Sequence, residues 1–450
     1  MHGPASQSVL LLDISRLIWR ARRKGPTGID RVELAYAQHF IANGGQRPAF
    51  AVLHLFGFVF AIGPTATRRF VQLLSTRWQG TTAATRWANL QEILKIYLHL
   101  LREPWVFGPW LRHKLRAYPG NPIFLVVSHH HVSRGHTIGR VRCSFRAKTV
   151  CFLHDLLPID YPEYFKPGWE QRYHLLAGNV GRLFDAVIAN SQETARSLRS
   201  CLKDAPDRAG KRLIRVAAPG VRLFQPGWAG PVEARVRPYF VVLGTIEPRK
   251  NHLLLLNLWT RLAATLAEPP RLLVIGHRGW ENEQVVDMLE RSRRLRGLVE
   301  EHNGLSDAQV GALVCGARAL LLPSFAEGFG LPLAEALASG VPVICSDIPV
   351  FRELGGEAPE YLDPLSTQPW IDAIVDFSDT HSQRRAAQLQ RLAAWRAPAW
   401  TDHFIAVEEL LRELEPGFQP SRLTPAKLAR FRRSSPRDTK YRRRRSMNVM

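Results

Sequence analysis

Short apolar runs alternate along the chain with stretches whose apolar residues recur at three- and four-residue spacing. This is the pattern of parallel strands linked by crossover helices. The first half holds runs at Val9 to Asp13, Ala49 to His54, Ile123 to Ser128, Thr149 to His154, Ala186 to Asn190 and Ile214 to Ala217. The second half holds Tyr239 to Gly244, Leu272 to Gly276, Ala319 to Leu322 and Val341 to Ser346. Between the two series, Gln225 to Pro238 contains three prolines and two glycines, the composition of a linker. The expected fold class is therefore α/β, with two doubly wound Rossmann-like domains facing a cleft, residues 1–230 and 235–399. Local signals agree. Ser306 with Gln309 forms a capping box ahead of an apolar run, and Pro332 and Gly340 frame a short helix.

Residues 65–120 are too many for an ordinary loop and predict a helical insert in the first domain. Leu90, Ile93, Leu94, Tyr97, Leu98 and Leu101 follow helical spacing, with Glu92, Lys95, His99 and Arg102 as the polar stripe. Trp78, Trp87, Trp105 and Trp110 lie here as well. A basic, Trp-rich element of this kind either packs as a helical subdomain or docks on an anionic membrane surface. The apolar stretch Ala49 to Pro64 is too short to span a bilayer and reads as strands joined by a turn.

Net charge is +22 over 450 residues. It is concentrated: Ser421 to Met450 has eleven Lys and Arg against one Asp, and Thr65 to Gly120 has nine against two Glu. The basicity thus belongs to the insert and to a tail, 421–450, expected to be disordered, and specific nucleic-acid binding is not expected. Five scattered Cys without a Cys-x-x-Cys pair predict reduced thiols. Met1 to Val9 lacks the pattern of a signal peptide, so a cytoplasmic protein is expected, at most peripheral on the inner face of a membrane.

The strongest chemical signal is LLLPSFAEGFGLPLAEALASGVPVICSD, from Leu320 to Asp347. A strand leads through a Gly-rich turn into a helix, so the amides of Gly328, Phe329 and Gly330 frame an anion site at a helix start. Glu327 precedes the glycines and Glu335 follows eight residues later, both placed to accept hydrogen bonds from sugar or ribose hydroxyls. This run resembles the Glu-x7-Glu motif of family 4 retaining glycosyltransferases, which have the GT-B architecture. The resemblance implies that Glu327 contacts the donor sugar and Glu335 the nucleotide ribose.

The same resemblance covers GTIEPRKNH, Gly244 to His252, where Arg249 and Lys250 stand at the family's phosphate-binding position. Many members have Arg directly after the glycine; here Thr245 occupies that place, which leaves the diphosphate to Arg249 and Lys250. Asn251 is a candidate cap for the following helix. In the first half, FLHDLLPIDYPEYF resembles the family's His-Asp-x-x-Pro segment, and its His154 closes a strand where it can line the cleft near the anomeric carbon. Asp155 either orients the acceptor or serves only as a turn residue. Gly25-Pro26-Thr27-Gly28 resembles the family's N-terminal glycine loop, with Gly28 as the residue that approaches the diphosphate.

His129, His130, His131 and His136 lack a matching carboxylate or thiol set and read as a polar strand end, not a metal site. No Asp-x-Asp occurs, so a donor site without metal or other cofactor is expected. A helix at 400–415 is expected to return to the first domain, as in GT-B relatives. The resemblance spans Ser8 to Leu414 outside the insert. It implies transfer of a sugar from a nucleoside diphosphate donor to a glycan or polyprenyl-linked acceptor, with retention, as in bacterial mannosyl- or rhamnosyltransferases of surface polysaccharides. The competing readings are a 2-epimerase of the same architecture, a basic nucleic-acid- or membrane-binding scaffold, and a silent relative.

Overall fold

A computed structural model describes residues 7–415 apart from 24, 44–46, 56–57, 80–85, 102–104, 130–131, 134, 204–212 and 225–236. Side chains at 55, 79, 86–90 and 92 are outside the description as well. The tail at 421–450, most of the 225–238 linker, Trp87, His130 and His131 therefore lie outside the described residues.

The first eight strands are β1 (Leu10–Asp13), β2 (Ala49–Leu55), β3 (Phe58–Ile62), β4 (Val106–Phe107), β5 (Ile123–Val126), β6 (Lys148–Leu153), β7 (Ala186–Ala189) and β8 (Leu213–Val216). They form one sheet in the order β4-β3-β2-β1-β5-β6-β7-β8. The second sheet has β9 (Tyr239–Leu243), β10 (Arg271–Ile275), β11 (Val299–His302), β12 (Leu320–Leu322), β13 (Val343–Ser346) and β14 (Glu360–Leu362), in the order β11-β10-β9-β12-β13-β14. Every ladder is parallel except β2 with β3 and β3 with β4.

Alternate residues of one strand feed two separate cores, which is why the runs read as continuously apolar. Leu10 and Leu12 pack into one cluster and Val9 and Leu11 into another on the opposite face. Phe240 and Val242 divide from Tyr239 and Val241 in the same way in the second sheet. Strand order reverses beside β1 and beside β9, so a crevice opens beyond the carboxyl ends of these strands in each half.

The helix Trp400–Glu413 lays Phe404, Val407, Leu410 and Leu411 into the core of the first sheet. It is held there by His403, whose Nε2 lies 2.8 Å from the Tyr36 hydroxyl, and by the Arg215–Glu413 pair at 2.6 Å. In the 65–120 segment the helices are Pro64–Gln79, Arg86–Leu100 and Gly108–Leu115. Here the apolar-face expectation needs correction. Ile96 and Leu100 turn inward with Tyr97, whose hydroxyl donates to the Ile18 carbonyl, while Leu94, Leu98 and Leu101 face outward. The apolar positions wrap further round the helix than the spacing indicated: the core takes Ile96 and Leu100 as well as Tyr97, and leaves Leu94, Leu98 and Leu101 outside.

Candidate active site

The half of the site that belongs to the second sheet is built from the ends of β9 and β12. Gly244 follows β9 at φ +152°, and the carbonyl oxygen of Gly244 would lie 1.8 Å from a Cβ placed on Gly276, so the loops after β9 and β10 touch only because Gly276 is glycine. Thr245 is half-buried next in line, its methyl against Gly279. A one-turn 3-10 helix, Pro248–Lys250, then turns Arg249 and Lys250 inward. Asn251 stands before the helix His252–Thr265, but it adopts a left-handed conformation and its amide donates to the Pro364 carbonyl at 3.1 Å instead of capping.

Arg249 and Lys250 converge on Glu327. Arg249 Nη1 donates to Glu327 Oε2 at 2.7 Å, Lys250 Nζ donates to Oε1, and the Ser324 hydroxyl donates to Oε1 at 2.8 Å. Arg249 also pairs with the buried Glu247 at 2.5 Å. Burial alone would raise the Glu327 pKa; Lys250 and Arg249 outweigh it and hold the group at about 2. Two cations thus sit beneath the Gly-rich turn with one fully ionised carboxylate between them.

Gly330, at φ +95°, lets the chain pass into the helix Leu331–Ala338, whose first amides have no partner within the helix itself. Glu335 is half-buried on this helix. Burial raises its pKa to about 7, with Arg31 opposing and Asp307 reinforcing the shift. The Phe329 side chain points elsewhere, into a cavity of about 350 Å3 shared with Ser191, Val350, Glu353 and Leu354. Only its backbone belongs to the turn.

The half that belongs to the first sheet meets this surface directly. A Cβ on Gly328 would lie 2.7 Å from the His154 carbonyl oxygen and 2.9 Å from Asp155 Cβ. The Ser191 hydroxyl donates to the Gly328 carbonyl at 2.9 Å, and the Asn190 amide donates to the His154 carbonyl at 2.6 Å. His154 Nε2 lies 2.8 Å from the Val127 carbonyl, so the ring donates there and keeps its lone pair on Nδ1. Burial lowers its pKa to about 4, which makes the ring neutral near pH 7. His129, from the His-rich stretch, accepts the His154 backbone N–H at 3.1 Å and so sets the loop. Asp155 has a pKa raised by burial to about 6, offset in part by Arg249.

Gly28 opens the helix Gly28–Ala37 and lies against the other half, a Cβ there coming 3.0 Å from Leu331 Cδ1. Thr27 and Asp30 form a reciprocal capping box, and Arg16 and Arg20 clamp Asp30, each Nε donating at 3.0 Å. Three residues into this helix, Arg31 reaches across the cleft to Asp307 in a bidentate pair at 2.6 and 3.0 Å. Beyond it, Tyr164 stacks on Phe325 with centroids 5.2 Å apart, and Trp280 donates to the Tyr164 carbonyl at 3.1 Å.

The structure therefore brings His154, Asp155, Arg249, Lys250, Glu327 and Gly328 to one place, with Glu335 alongside on the Leu331–Ala338 helix and Gly28 against Leu331 at the start of that helix. Sequence reasoning missed Ser324, Glu247, Ser191, Asn190, Gly276 and Arg31. Ser324 and Glu247 stood inside the quoted motifs; the others had no signal of their own. Gly328→Ala is expected to lower transfer at least tenfold with the fold retained by circular dichroism, because the methyl group meets the His154 carbonyl oxygen and the Asp155 Cβ.

Comparison with known proteins agrees with this geometry. The family described as "Glycosyl transferases group 1" matches residues 232–360, and "Glycosyltransferase Family 4" matches residues 66–221. The second match spans the 65–120 segment, which the motif-based resemblance had set aside. The O-antigen chain mannosyltransferase B of Escherichia coli is 32% identical over 40% of this chain and 45% of its own length. The O-antigen chain mannosyltransferase RfbU of Salmonella typhimurium is 34% identical over 30% of this chain and 37% of its own. The chain thus spans less than half the length of these curated relatives. Among solved structures, Anabaena Alr3699/HepE in complex with UDP-glucose superposes with a TM-score of 0.59 at 16% identity, covering 90% of this chain and 99% of that one. Sucrose-phosphate synthase from Thermosynechococcus elongatus gives 0.55 at 16% identity, covering 91% and 99%. At such identities the superpositions speak for the fold alone. With a glycosyltransferase family match on each half and the GT-B fold throughout, this chain is similar in both halves to the family 4 glycosyltransferases.

Proposed function

We propose that the protein transfers a sugar, mannose by analogy with its curated relatives, from a nucleoside diphosphate donor to a glycan or polyprenyl-linked acceptor, with retention of anomeric configuration. The observation that carries this reading is the convergence of Arg249 and Lys250 on Glu327 under the Gly328–Gly330 turn, pressed against His154 and Asp155 of the other half. The diphosphate is a better partner for the two cations than one carboxylate, and the free amides at the start of the Leu331–Ala338 helix add to the site. Solved relatives of the same fold that carry UDP or UDP-glucose support a nucleotide donor.

The chemistry then needs no protein base. The bond from the anomeric carbon to the phosphate oxygen breaks, the acceptor oxygen bonds to that carbon on the same face, and the acceptor proton passes to the departing phosphate. His154, neutral and with its lone pair on Nδ1, accepts a hydrogen bond from a sugar hydroxyl; Glu327, released from the cations by the diphosphate, accepts from another; Asp155 orients the acceptor. Closing the halves over the donor excludes water and limits hydrolysis. No described helix is long and apolar enough to cross a membrane.

Thermal stability with a panel of nucleoside diphosphate sugars tests the donor. One donor is expected to raise the melting temperature of the wild type and to do so less for Glu335→Gln; no response to any donor in folded protein would overturn the reading. Glu335 also predicts a pH dependence. It must be ionised to accept two ribose hydroxyls, so donor affinity is expected to rise as pH increases through about 7, and this rise should vanish in Glu335→Gln. The sign for stability is opposite. A carboxyl raised from about 4.5 to about 7 on folding costs stability as pH rises across that interval, and the variant should lose this slope too.

A further inference from the structure

The 65–120 segment exposes an apolar surface that neither core nor cleft uses. On the edge of the first sheet, β3 pairs with β4 so that Phe60 lies opposite Phe107, which puts Phe58, Phe60 and Phe107 on one face. The other face, with Val59, Ala61 and Val106, is packed into the core. Phe58 is 60% exposed, and Trp110, on the helix that follows β4, is 74% exposed. A cavity of about 460 Å3 runs between Trp105, Val106, Phe107, Trp110, His113 and Lys114. Trp105 links this patch to the helix that carries the outward Leu94 and Leu98, with Leu101 just beyond its end: its ring centroid lies 5.9 Å from that of Phe60 and its indole donates to the Leu100 carbonyl at 2.8 Å.

The surroundings of the patch select its partner. Arg112, His113, Lys114 and Arg116 are all exposed on or just after the Gly108–Leu115 helix, Lys95 is exposed beside the leucine stripe, and no Asp or Glu occurs from Trp105 to Gly120. A second copy of the chain would set these cations against their own copies. An anionic bilayer instead offers apolar depth for the Trp and Leu side chains and phosphate charge for their rim. We infer that the face formed by Phe58, Phe107, Trp110 and the Leu94–Leu101 stripe seats the protein on an anionic lipid membrane, with Arg112 and Lys114 on the headgroups. This deepens the lipid-acceptor reading above by naming the surface that brings the cleft to the lipid. It is measured without donor or acceptor, so its failure and that of the transfer reading are separable.

The full chain also carries the Arg-rich segment 421–450, which would attract anionic vesicles by charge alone, so the test reads insertion at one residue. Vesicles of phosphatidylcholine and phosphatidylglycerol, with the phosphatidylcholine brominated in its acyl chains, are expected to quench tryptophan fluorescence. Trp110→Phe, which keeps an apolar side chain, should retain binding and lose about half or more of the quenching. Arg112→Gln with Lys114→Gln should weaken partitioning onto these vesicles roughly thirtyfold, at about fivefold for each cation. Quenching unchanged in Trp110→Phe, or partitioning unchanged in the double variant, would overturn the inference. So would a dimer, seen without lipid, that Trp110→Ser dissolves, since the face would then belong to a second copy. All three positions are exposed, so the variants should fold as the wild type does.

Discussion

Lys250→Ala is expected to reduce kcat/KM for sugar transfer by about 10²–10³, the usual cost of removing one charged group aimed at developing negative charge in a water-poor site. Lys250 Nζ is buried against Glu327, and its aliphatic stem lies under Gly244, with Cε 3.5 Å from where a Cβ would be. Truncation therefore removes a positioned charge without opening a path for another cation, and Arg249 is already committed to both Glu247 and Glu327. Affinity for the nucleoside diphosphate should fall with it. Lys250→Arg should recover little, because a planar fork does not reproduce the point contact that the buried ammonium makes with Glu327 Oε1. Steady-state kinetics together with isothermal titration of the diphosphate check both statements. A kcat/KM within threefold of the wild type would remove Lys250 from the site.

Glu327→Gln should affect stability as well as turnover. The depressed pKa means that this carboxylate contributes stability fully above the unfolded value of about 4.5 and loses it as pH falls toward about 2. The contribution is on the order of 3 kcal/mol at pH 7. The amide should lower the midpoint of chemical denaturation accordingly and flatten the acid limb of the stability profile. It also leaves Arg249 and Lys250 without their principal anion, a costly state for buried cations. A diphosphate can supply that anion. The same ligand concentration is therefore expected to raise the melting temperature of Glu327→Gln more than that of the wild type, even as turnover falls by about 10²–10³. A variant that is less active and also responds less to diphosphate would show that Glu327 assists ligand binding instead of competing for the cations.

Much of this site could be read from sequence because each element announces itself locally. The strand before Glu327, the glycines and the helix start at Pro332 lie within one run, and the capping box at Ser306 and Gln309 forms with both reciprocal bonds. The alternation of apolar runs likewise located ten of the strands to within a residue or two. Phe58–Ile62 falls within Ala49 to Pro64, which reads as strands joined by a turn; Val106–Phe107 is only two residues long, and the other two that escape have weak apolar patterns. Val299–His302 reads Val-Glu-Glu-His, yet it pairs at the edge of the second sheet, where Glu300 meets Arg271 of the adjacent β10 and Glu301 meets Arg278 just beyond it. Glu360–Leu362 is the opposite edge, and Glu360 is held by Arg384 at 2.6 Å. Edge strands answer to charge pairs across the ladder that no periodicity reveals.

Contacts distant in sequence were not legible for a different reason. Arg31 lies within a plain amphipathic helix, and only the closure of the two halves brings it to Asp307. Asn190 and Ser191 look like an ordinary strand end with a helix cap, and Ser191 does cap the Gln192–Cys201 helix by accepting from the Thr194 N–H. The same hydroxyl also donates to the Gly328 carbonyl of the other half. The side of the helix carrying Leu94, Leu98 and Leu101 stays open between core and membrane in the sequence, because helical spacing marks an apolar stripe without saying what covers it.

The most direct test of the account is product analysis after incubation of the full-length protein with the nucleoside diphosphate sugar that stabilises it and a short mannose-terminated acceptor. Proton NMR of the anomeric signal reads the outcome. The account predicts a new glycosidic bond with the donor's own anomeric configuration, one equivalent of nucleoside diphosphate released per bond, and no epimerised donor when acceptor is omitted. An inverted linkage, or a donor rearranged without acceptor, would contradict it.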